Sequence, residues 1–357
     1  MRIALVHDYL NQYGGAERVL EVLCQLFPGA PLYTALYDER ATRGVFRVVD
    51  IRTSFLQRFP LVARYHHAFS FLMPLAFEQF DFSHYDIVLS VSSSFGKGII
   101  TKPHTKHICY CLTPPRYLWD DAQKYVSQFS YPRFVKRFLP PVLSYLRIWD
   151  KEASHRVDRF IAISAFVRQR IQKYYGRDSD VLYPPVDTSK FRIASSTHDY
   201  FLMVGRLVSY KRFDIAIRAF NELGWPLKIV GDGIEKKSLQ KIANPNVEFL
   251  GPVGDDQLAD LYAHAEALVF PQEEDFGIVP LEAMASGRPV IAYRGGGAVE
   301  TVVEGVTGTF FNEQTESSLR QALEEFDPSD YSPEKCRARA AEFDTSIFRQ
   351  RMLGMLT

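Results

Sequence analysis

Short apolar runs alternate with longer amphipathic stretches along this whole chain. The runs at 3–6, 87–90, 107–112, 159–163, 181–183, 201–204, 227–230, 247–250, 267–270 and 289–292 read as strands. Helix-period stretches lie between many of them, at 16–27, 166–175, 212–223, 257–263 and 317–326. Strand alternating with helix predicts an α/β chain, with parallel sheets joined by right-handed crossovers. No fixed-period repeat or low-complexity tract breaks the pattern.

The pattern restarts once. Tyr183-Pro-Pro-Val-Asp-Thr-Ser-Lys-Phe191 is stiffened by two prolines, and a fresh strand–helix series opens at Tyr200. The expectation is two Rossmann-like doubly wound domains facing a cleft, over 1–186 and 187–345. A length of 357 residues gives both ample core.

Charge changes sign at the same place. Residues 1–186 hold 24 Lys+Arg against 16 Asp+Glu, a net +8, and residues 187–357 hold 18 against 26, a net −8. Much of the basic excess lies in 124–177, with 12 basic and three acidic residues. A basic half can attract anionic lipid, nucleic acid or a phosphorylated acceptor, and equally the two halves can complement each other. Two aromatic segments with scattered base, 55–82 and 131–149, suit either a lipid interface or a core-facing helix.

Composition narrows the class further. Hydrophobic residues make up 46% and charged residues 24%, which excludes a disordered chain. No run approaches the roughly 18 apolar residues of a membrane span. The start, Met1-Arg-Ile-Ala-Leu-Val-His-Asp8, meets charge too soon for a signal peptide, so the expected location is cytoplasmic. Cys24, Cys109, Cys111 and Cys336 show neither disulfide nor zinc spacing.

The most informative stretch is Pro271-Gln-Glu-Glu-Asp-Phe-Gly-Ile-Val-Pro-Leu-Glu282. It leaves a strand, crosses an acidic loop and enters a helix-like run from Pro280 to Gly287, Pro first and Gly last as helices prefer. Strand, loop and helix N-terminus at the carboxyl edge of a parallel sheet can hold a phosphorylated ligand. Glu274 and Glu282 supply two carboxylates eight positions apart. Further back, Gly205-Arg206-Leu-Val-Ser-Tyr-Lys211 also follows a strand and enters a helix, and its two cations suit a diphosphate. Gly14-Gly15 after the first strand is either a plain tight turn or a place for backbone amides to meet a ligand. The turn Leu112-Thr-Pro-Pro-Arg116-Tyr117-Leu-Trp119 puts candidate cleft residues at a strand's carboxyl end, or is a structural proline turn with an aromatic plug.

Taken in order, Gly14-Gly15, then Gly205-Arg206-Leu207 with Lys211, Gly231-Asp-Gly233, and Glu274 with Glu282 before Ala285-Ser-Gly-Arg-Pro-Val290, the chain resembles the retaining glycosyltransferases of family 4 over almost its whole length. The resemblance implies the GT-B fold, with a nucleotide sugar between the domains and mostly on the second, and a C-terminal helix at about 346–357 crossing back onto the first. It implies no metal and no cofactor: Arg206, Lys211 and helix N-termini neutralise the diphosphate of a GDP-, UDP- or dTDP-linked sugar. By the family's pattern Glu282 bonds the ribose and Glu274 a hydroxyl of the reacting sugar. Amides around Phe276, Gly277, Ile278 and Val279 face the sugar and phosphates, those of Gly14 and Gly15 the diphosphate, and the base lies near Pro252 and Val253. Arg206, Lys211 and Glu274 are then the catalytic set. Retention proceeds by front-face attack, the leaving phosphate accepting the acceptor's proton.

The same resemblance implies a glycan or lipid-linked acceptor in polysaccharide biosynthesis, no nucleic acid, and the inner face of the cytoplasmic membrane as a candidate surface. One departure stands out. Family members often carry a His where this chain has Leu112, to bond the sugar's 6-hydroxyl; a leucine favours a 6-deoxy sugar, unless the register shifts and His107 or Arg116 serves instead. A nucleotide-sugar epimerase of the same fold and a non-catalytic sugar-nucleotide-binding protein are the alternatives.

Overall fold

A computed structural model describes residues 1–60, 62–120 and 133–356, with the backbone alone at 64–68 and 133–138. The chain forms two compact units, Met1–Tyr183 and Pro184–Thr357. Among the described residues the first holds a seven-stranded sheet: β1 (Ile3–His7), β2 (Leu32–Thr34), β3 (Ile51–Thr53), β4 (Ile87–Ser92), β5 (Lys106–Cys111), β6 (Arg159–Ala162) and β7 (Ser179–Val181). Their order is β3-β2-β1-β4-β5-β6-β7, every pair parallel. The second unit has β8 (Phe201–Val204), β9 (Leu227–Val230), β10 (Val247–Gly251), β11 (Leu268–Phe270), β12 (Val290–Tyr293) and β13 (Gly308–Phe311), ordered β10-β9-β8-β11-β12-β13 and again all parallel. Both are doubly wound Rossmann-type sheets, as the strand–helix alternation predicts. Each reverses its strand order once, between β1 and β4 and between β8 and β11.

The central strands are near-continuous apolar runs because helices cover both faces of such sheets. All six residues of β4 are buried. Ala4, Val6 and Val88 pack with Phe77, Leu146 and Trp149 in the first core, and Met203, Ile229, Val269 and Ile291 with Phe220 and Leu323 in the second. The strands β2, β3 and β13 carry no apolar run in the sequence. Leu-Tyr-Thr, Ile-Arg-Thr and Gly-Thr-Phe-Phe are short, and at the margins of the sheets tertiary pairing decides what propensity leaves open.

The aromatic, basic segment at 131–149 becomes much of one long helix, Arg133–His155, with Pro140 and Pro141 inside it. Residues 131 and 132 lie outside the described residues. Leu143, Leu146 and Trp149 face the core, while Tyr145 and Ile148 are exposed. Residues 55–82 divide in the same way, Met73 and Phe77 being buried and Phe59, Phe71 and Leu75 exposed. Among the described residues no helix is long and apolar enough to cross a membrane. The cysteines are free thiols, Cys109 and Cys111 fully inside.

A buried polar hub joins the long helix to its neighbours. The Lys97 ammonium donates to the Ser94 carbonyl at 2.6 Å and pairs with Asp150. Trp119 Nε1 and the Tyr175 hydroxyl both donate to the other oxygen of Asp150 at 2.8 Å. Burial works against the Lys97 charge, but Asp150 more than offsets it and holds the ammonium above the ordinary lysine range. Asp150→Ala strands that charge in the core and is expected to cost about 3–5 kcal/mol in a urea titration. The double change Lys97→Met with Asp150→Ala should recover most of the loss, and a mild single variant would show that water reaches the site.

Candidate functional site

In the second unit, the loops that leave β8 and β11 meet where the strand order reverses, the usual ligand position on an open parallel sheet. After β8 the chain runs through Gly205 and Arg206 to a short 3-10 turn, Ser209–Lys211. Arg212 then takes the left-handed conformation (φ 53°, ψ 38°) and starts the helix Phe213–Leu223. A non-glycine residue there carries strain of roughly 1 kcal/mol or more. It accompanies a Lys211 side chain laid across Gly205, where an added Cβ would lie 3.1 Å from Nζ.

Lys211 is buried, and its Nζ lies 2.5 Å from Glu274 Oε1 in the loop after β11. The approach is an ion pair rather than an aligned hydrogen bond, since Glu274 Oε1 has no donor in hydrogen-bonding geometry. Two of the three residues expected to form the catalytic set, Lys211 and Glu274, are therefore in contact. Arg206 is not part of that contact. It is exposed and donates to the Tyr210 hydroxyl at 3.3 Å.

The acidic loop is held from behind. The Gly297 amide donates to the Glu274 carbonyl at 2.8 Å, and a side chain at Gly297 would run into the backbone of Phe276. Phe276 is itself a core residue, its ring centroid 5.9 Å from that of Phe343, so its ring packs inward. Gly277, at φ 90°, turns the chain into the helix Ile278–Ala285. That helix starts two residues ahead of Pro280, the start read from the sequence, because the left-handed Gly277 makes the turn. Ile278 and Val279, half-buried, form its first turn, and Glu282 is its fifth residue, past that turn. Glu282 is buried, with Oε2 accepting from the Tyr262 hydroxyl at 2.8 Å. Nothing in the residue order points to Tyr262, Gly297 or Phe343. Gly295-Gly-Gly297 reads there only as loop punctuation, although three successive glycines do signal close backbone approach.

Pro252 and Val253 lie beyond β10, exposed and half-buried, before the helix Asp255–His264. The strand-end loops are stitched together by backbone bonds. Gly205 N–H donates to Val230 at 3.0 Å, Leu207 N–H to Asp232 at 2.9 Å and Gly231 N–H to Gly251 at 2.9 Å. The rim below the Lys211–Glu274 pair is thus continuous across β8, β9 and β10.

The first unit has its own reversal point. Gly14 precedes the helix Gly15–Leu26, and its amide already donates to Glu17 Oε2 at 2.8 Å, which bears on the expectation that both glycine amides face a ligand. Asp8, at the end of β1, accepts from Ser92 Oγ at 2.8 Å, Ser93 N at 2.7 Å and Gly96 N at 2.6 Å, which ties the loop after β4 to the one after β1. Leu112 follows β5 and is buried, its amide donating to the Ser92 carbonyl at 2.9 Å. Arg116 and Tyr117 are half-buried on the short helix Arg116–Trp119, with the Tyr117 hydroxyl 3.0 Å from Ser94 Oγ. His107 cannot stand in for Leu112. It is the second residue of β5, at the opposite end of the strand, fully buried against Ser90 Oγ at 2.9 Å. Burial pushes its imidazole down to about 3, so it stays neutral. Among the described residues no group of three or more His, Cys, Asp or Glu is arranged to hold a metal ion.

Each unit matches a known family. The profile described as Glycosyltransferase Family 4 matches residues 13–190, and that described as Glycosyl transferases group 1 matches residues 186–343. An uncharacterised glycosyltransferase of Methanocaldococcus jannaschii is 28% identical over 182 residues, 50% of this chain and 52% of that protein. The O-antigen chain mannosyltransferase of Salmonella typhimurium is 33% identical over 180 residues, 46% of this chain and 49% of that one. The matched stretch therefore spans about half the length of these curated relatives. Among solved structures, the Anabaena protein HepE in complex with UDP superposes with a TM-score of 0.73 at 18% identity, over 100% of this chain and 99% of that one. At that identity the likeness speaks for the fold.

Proposed function

The chain belongs to the family 4 glycosyltransferases, and we propose that it is a retaining enzyme moving a hexosyl or 6-deoxyhexosyl group from a nucleotide-diphosphate sugar to a glycan or lipid-linked acceptor. The observation that carries this reading is the Lys211–Glu274 ion pair at the reversal point of the second sheet, 2.5 Å long and lacking an aligned hydrogen bond. A cation and a carboxylate held side by side at a strand edge suit the two chemically different ends of a glycosyl donor. Lys211, with Arg206 from the same loop, neutralises the departing diphosphate, and Glu274 accepts from a hydroxyl of the sugar. Glu282, buried deeper and oriented by Tyr262, takes the ribose. Pro252 and Val253 flank the base, and the amides near Phe276, Gly277, Ile278 and Val279 serve the sugar and phosphates.

Catalysis on this reading is charge stabilisation and orientation. Cations and helix N-termini do the work of a divalent metal, no cofactor is needed, and the leaving phosphate takes the acceptor's proton. The solved relative with UDP bound supports a nucleotide-linked donor, and the Salmonella O-antigen chain mannosyltransferase supports transfer of a hexosyl group. Leu112, buried at the exit of β5, supports a 6-deoxy sugar, since an unpartnered 6-hydroxyl against it would cost about 1–3 kcal/mol.

The donor arm is checked by release of nucleoside diphosphate. Lys211→Ala and Glu274→Ala should each lower the rate about 10²–10³-fold, the usual loss of a preorganised charge partner; release at the wild-type rate would refute the assignment. Competition among donors tests Leu112. Rhamnose-, fucose- or perosamine-type donors should win over mannose and glucose donors, and a clear preference for the 6-hydroxylated sugars ends the 6-deoxy idea. For the lipid-linked acceptor, the proposal places the basic half of the chain at an anionic membrane surface on the cytoplasmic side. Salt-sensitive sedimentation with anionic liposomes is expected, and no sedimentation at low salt removes the membrane contact.

A further inference from the structure

The loop after β11 holds a second polar side chain, one with no part in the reading above. Gln272 is 2% exposed, yet among the described residues its amide neither donates nor accepts a hydrogen bond. Neither its nitrogen nor its oxygen is sealed from water, so the amide keeps a small opening to solvent. Burying a polar group without a protein partner costs free energy, and native proteins keep such groups where water or a ligand completes them. Glu274 Oε1, two residues on, also lacks a donor in hydrogen-bonding geometry.

The backbone on either side of Gln272 is pinned. The Pro271 carbonyl accepts from Gln314 Nε2 at 2.9 Å, and the Glu274 carbonyl accepts from the Gly297 amide at 2.8 Å. Both bonds fix the short stretch that carries the amide. Across the reversal point Leu268 pairs with Leu202. Gln272 and Arg206 each come four residues after that pairing. Gln272 therefore leaves the sheet at the edge that also carries Arg206, Lys211 and Glu274.

The groups at this edge differ in what they can bond. A lysine ammonium only donates, and an ionised carboxylate only accepts. A side-chain amide does both, through its NH2 and its carbonyl oxygen. An unprotonated phosphate oxygen satisfies the donor half alone. Sugar hydroxyls donate and accept, so a hydroxylated ring can meet both halves of one amide. We propose that Gln272 is a specificity-determining residue that bonds a hydroxyl of the transferred sugar adjacent to the one accepted by Glu274. This role rests on the reading that Glu274 binds the sugar of a nucleotide-diphosphate donor, and it adds a group that tells one hexose from another. A sugar lacking that hydroxyl leaves the buried amide unmatched, which is how a polar site rejects a deoxy analogue.

Full-length wild type and Gln272→Met test this, with release of nucleoside diphosphate as the assay. Methionine keeps an unbranched, flexible side chain and removes the amide. The probe is whichever UDP-, GDP- or dTDP-linked hexose the wild type turns over fastest, together with analogues lacking the 2-, 3- or 4-hydroxyl. Gln272→Met should lower kcat/KM for the intact donor about three- to tenfold, the weight of one neutral hydrogen bond. One deoxy analogue should suffer that same loss with wild type and no further loss with Gln272→Met, since both changes delete one bond. Calorimetric affinity for the free nucleoside diphosphate should not move, because that ligand carries no hexose. The melting temperature of the empty protein should hold or rise, since an unmatched buried amide has been removed. A lower melting temperature with unchanged kcat/KM marks an amide that serves only the fold, and overturns the role. A Gln272→Met chain that discriminates among the three analogues as wild type does also overturns it, whatever its melting temperature. If wild type neither turns over nor binds any of the nucleotides, the donor reading itself falls, and this assignment with it.

Discussion

Where a doubly wound sheet reverses its strand order, the two central strands send their following loops to opposite faces, and the carboxyl edge between them is left open. Something must span that opening, and in this chain charged side chains do so in both sheets. Asp8 reaches from the exit of β1 to Ser92, Ser93 and Gly96 at the exit of β4. Lys211 after β8 reaches Glu274 after β11. The two bridges differ in kind. Asp8 is satisfied by fixed amides and hydroxyls in aligned hydrogen bonds, which makes it a brace. The Lys211–Glu274 contact has charge without alignment, which on the proposed reading leaves either partner to a ligand.

An exchangeable pair is useful only on a rigid base. In the second unit the base comes from residues remote from the pair in sequence. Arg339 donates to the Glu300 and Thr301 carbonyls at 2.6 and 3.0 Å, and its guanidinium lies 4.9 Å from the centre of the Phe343 ring that packs on Phe276. The Gly295–Gly297 turn in front of them accepts the acidic loop against its backbone. Loop position is thus set by packing and backbone bonds, leaving the charged groups free of a structural burden.

The buried strands and their order of appearance were legible because parallel sheets covered by helices demand apolar runs. The strands β2, β3 and β13 were not, since Leu32-Tyr-Thr34, Ile51-Arg-Thr53 and Gly308-Thr-Phe-Phe311 gain their pairing from neighbours already in place. In the candidate site, Lys211 and Glu274 stood out as charges in loops that follow strands and carry a glycine, and Glu282 as a second carboxylate eight positions on. Their supports did not: Tyr262 and Phe343 look like any core aromatic until the fold delivers them. Pro280 misplaced a helix start for a related reason, since a proline is tolerated throughout a first turn whose amides lack intrahelical partners, and only the backbone angle of Gly277 fixes where that turn begins.

If the proposed donor site is right, the mutual neutralisation of Lys211 and Glu274 also sets what that site ignores. A bare phosphate that captured the ammonium would strip Glu274 of its counter-charge at a half-buried position, and a bare sugar that captured the carboxylate would do the same to a buried lysine. Either half alone meets a toll. On the proposed reading, a molecule offering both a phosphate and a hydroxyl would compensate both partners at once, and the pair would act as a coincidence filter against bare phosphates and free sugars.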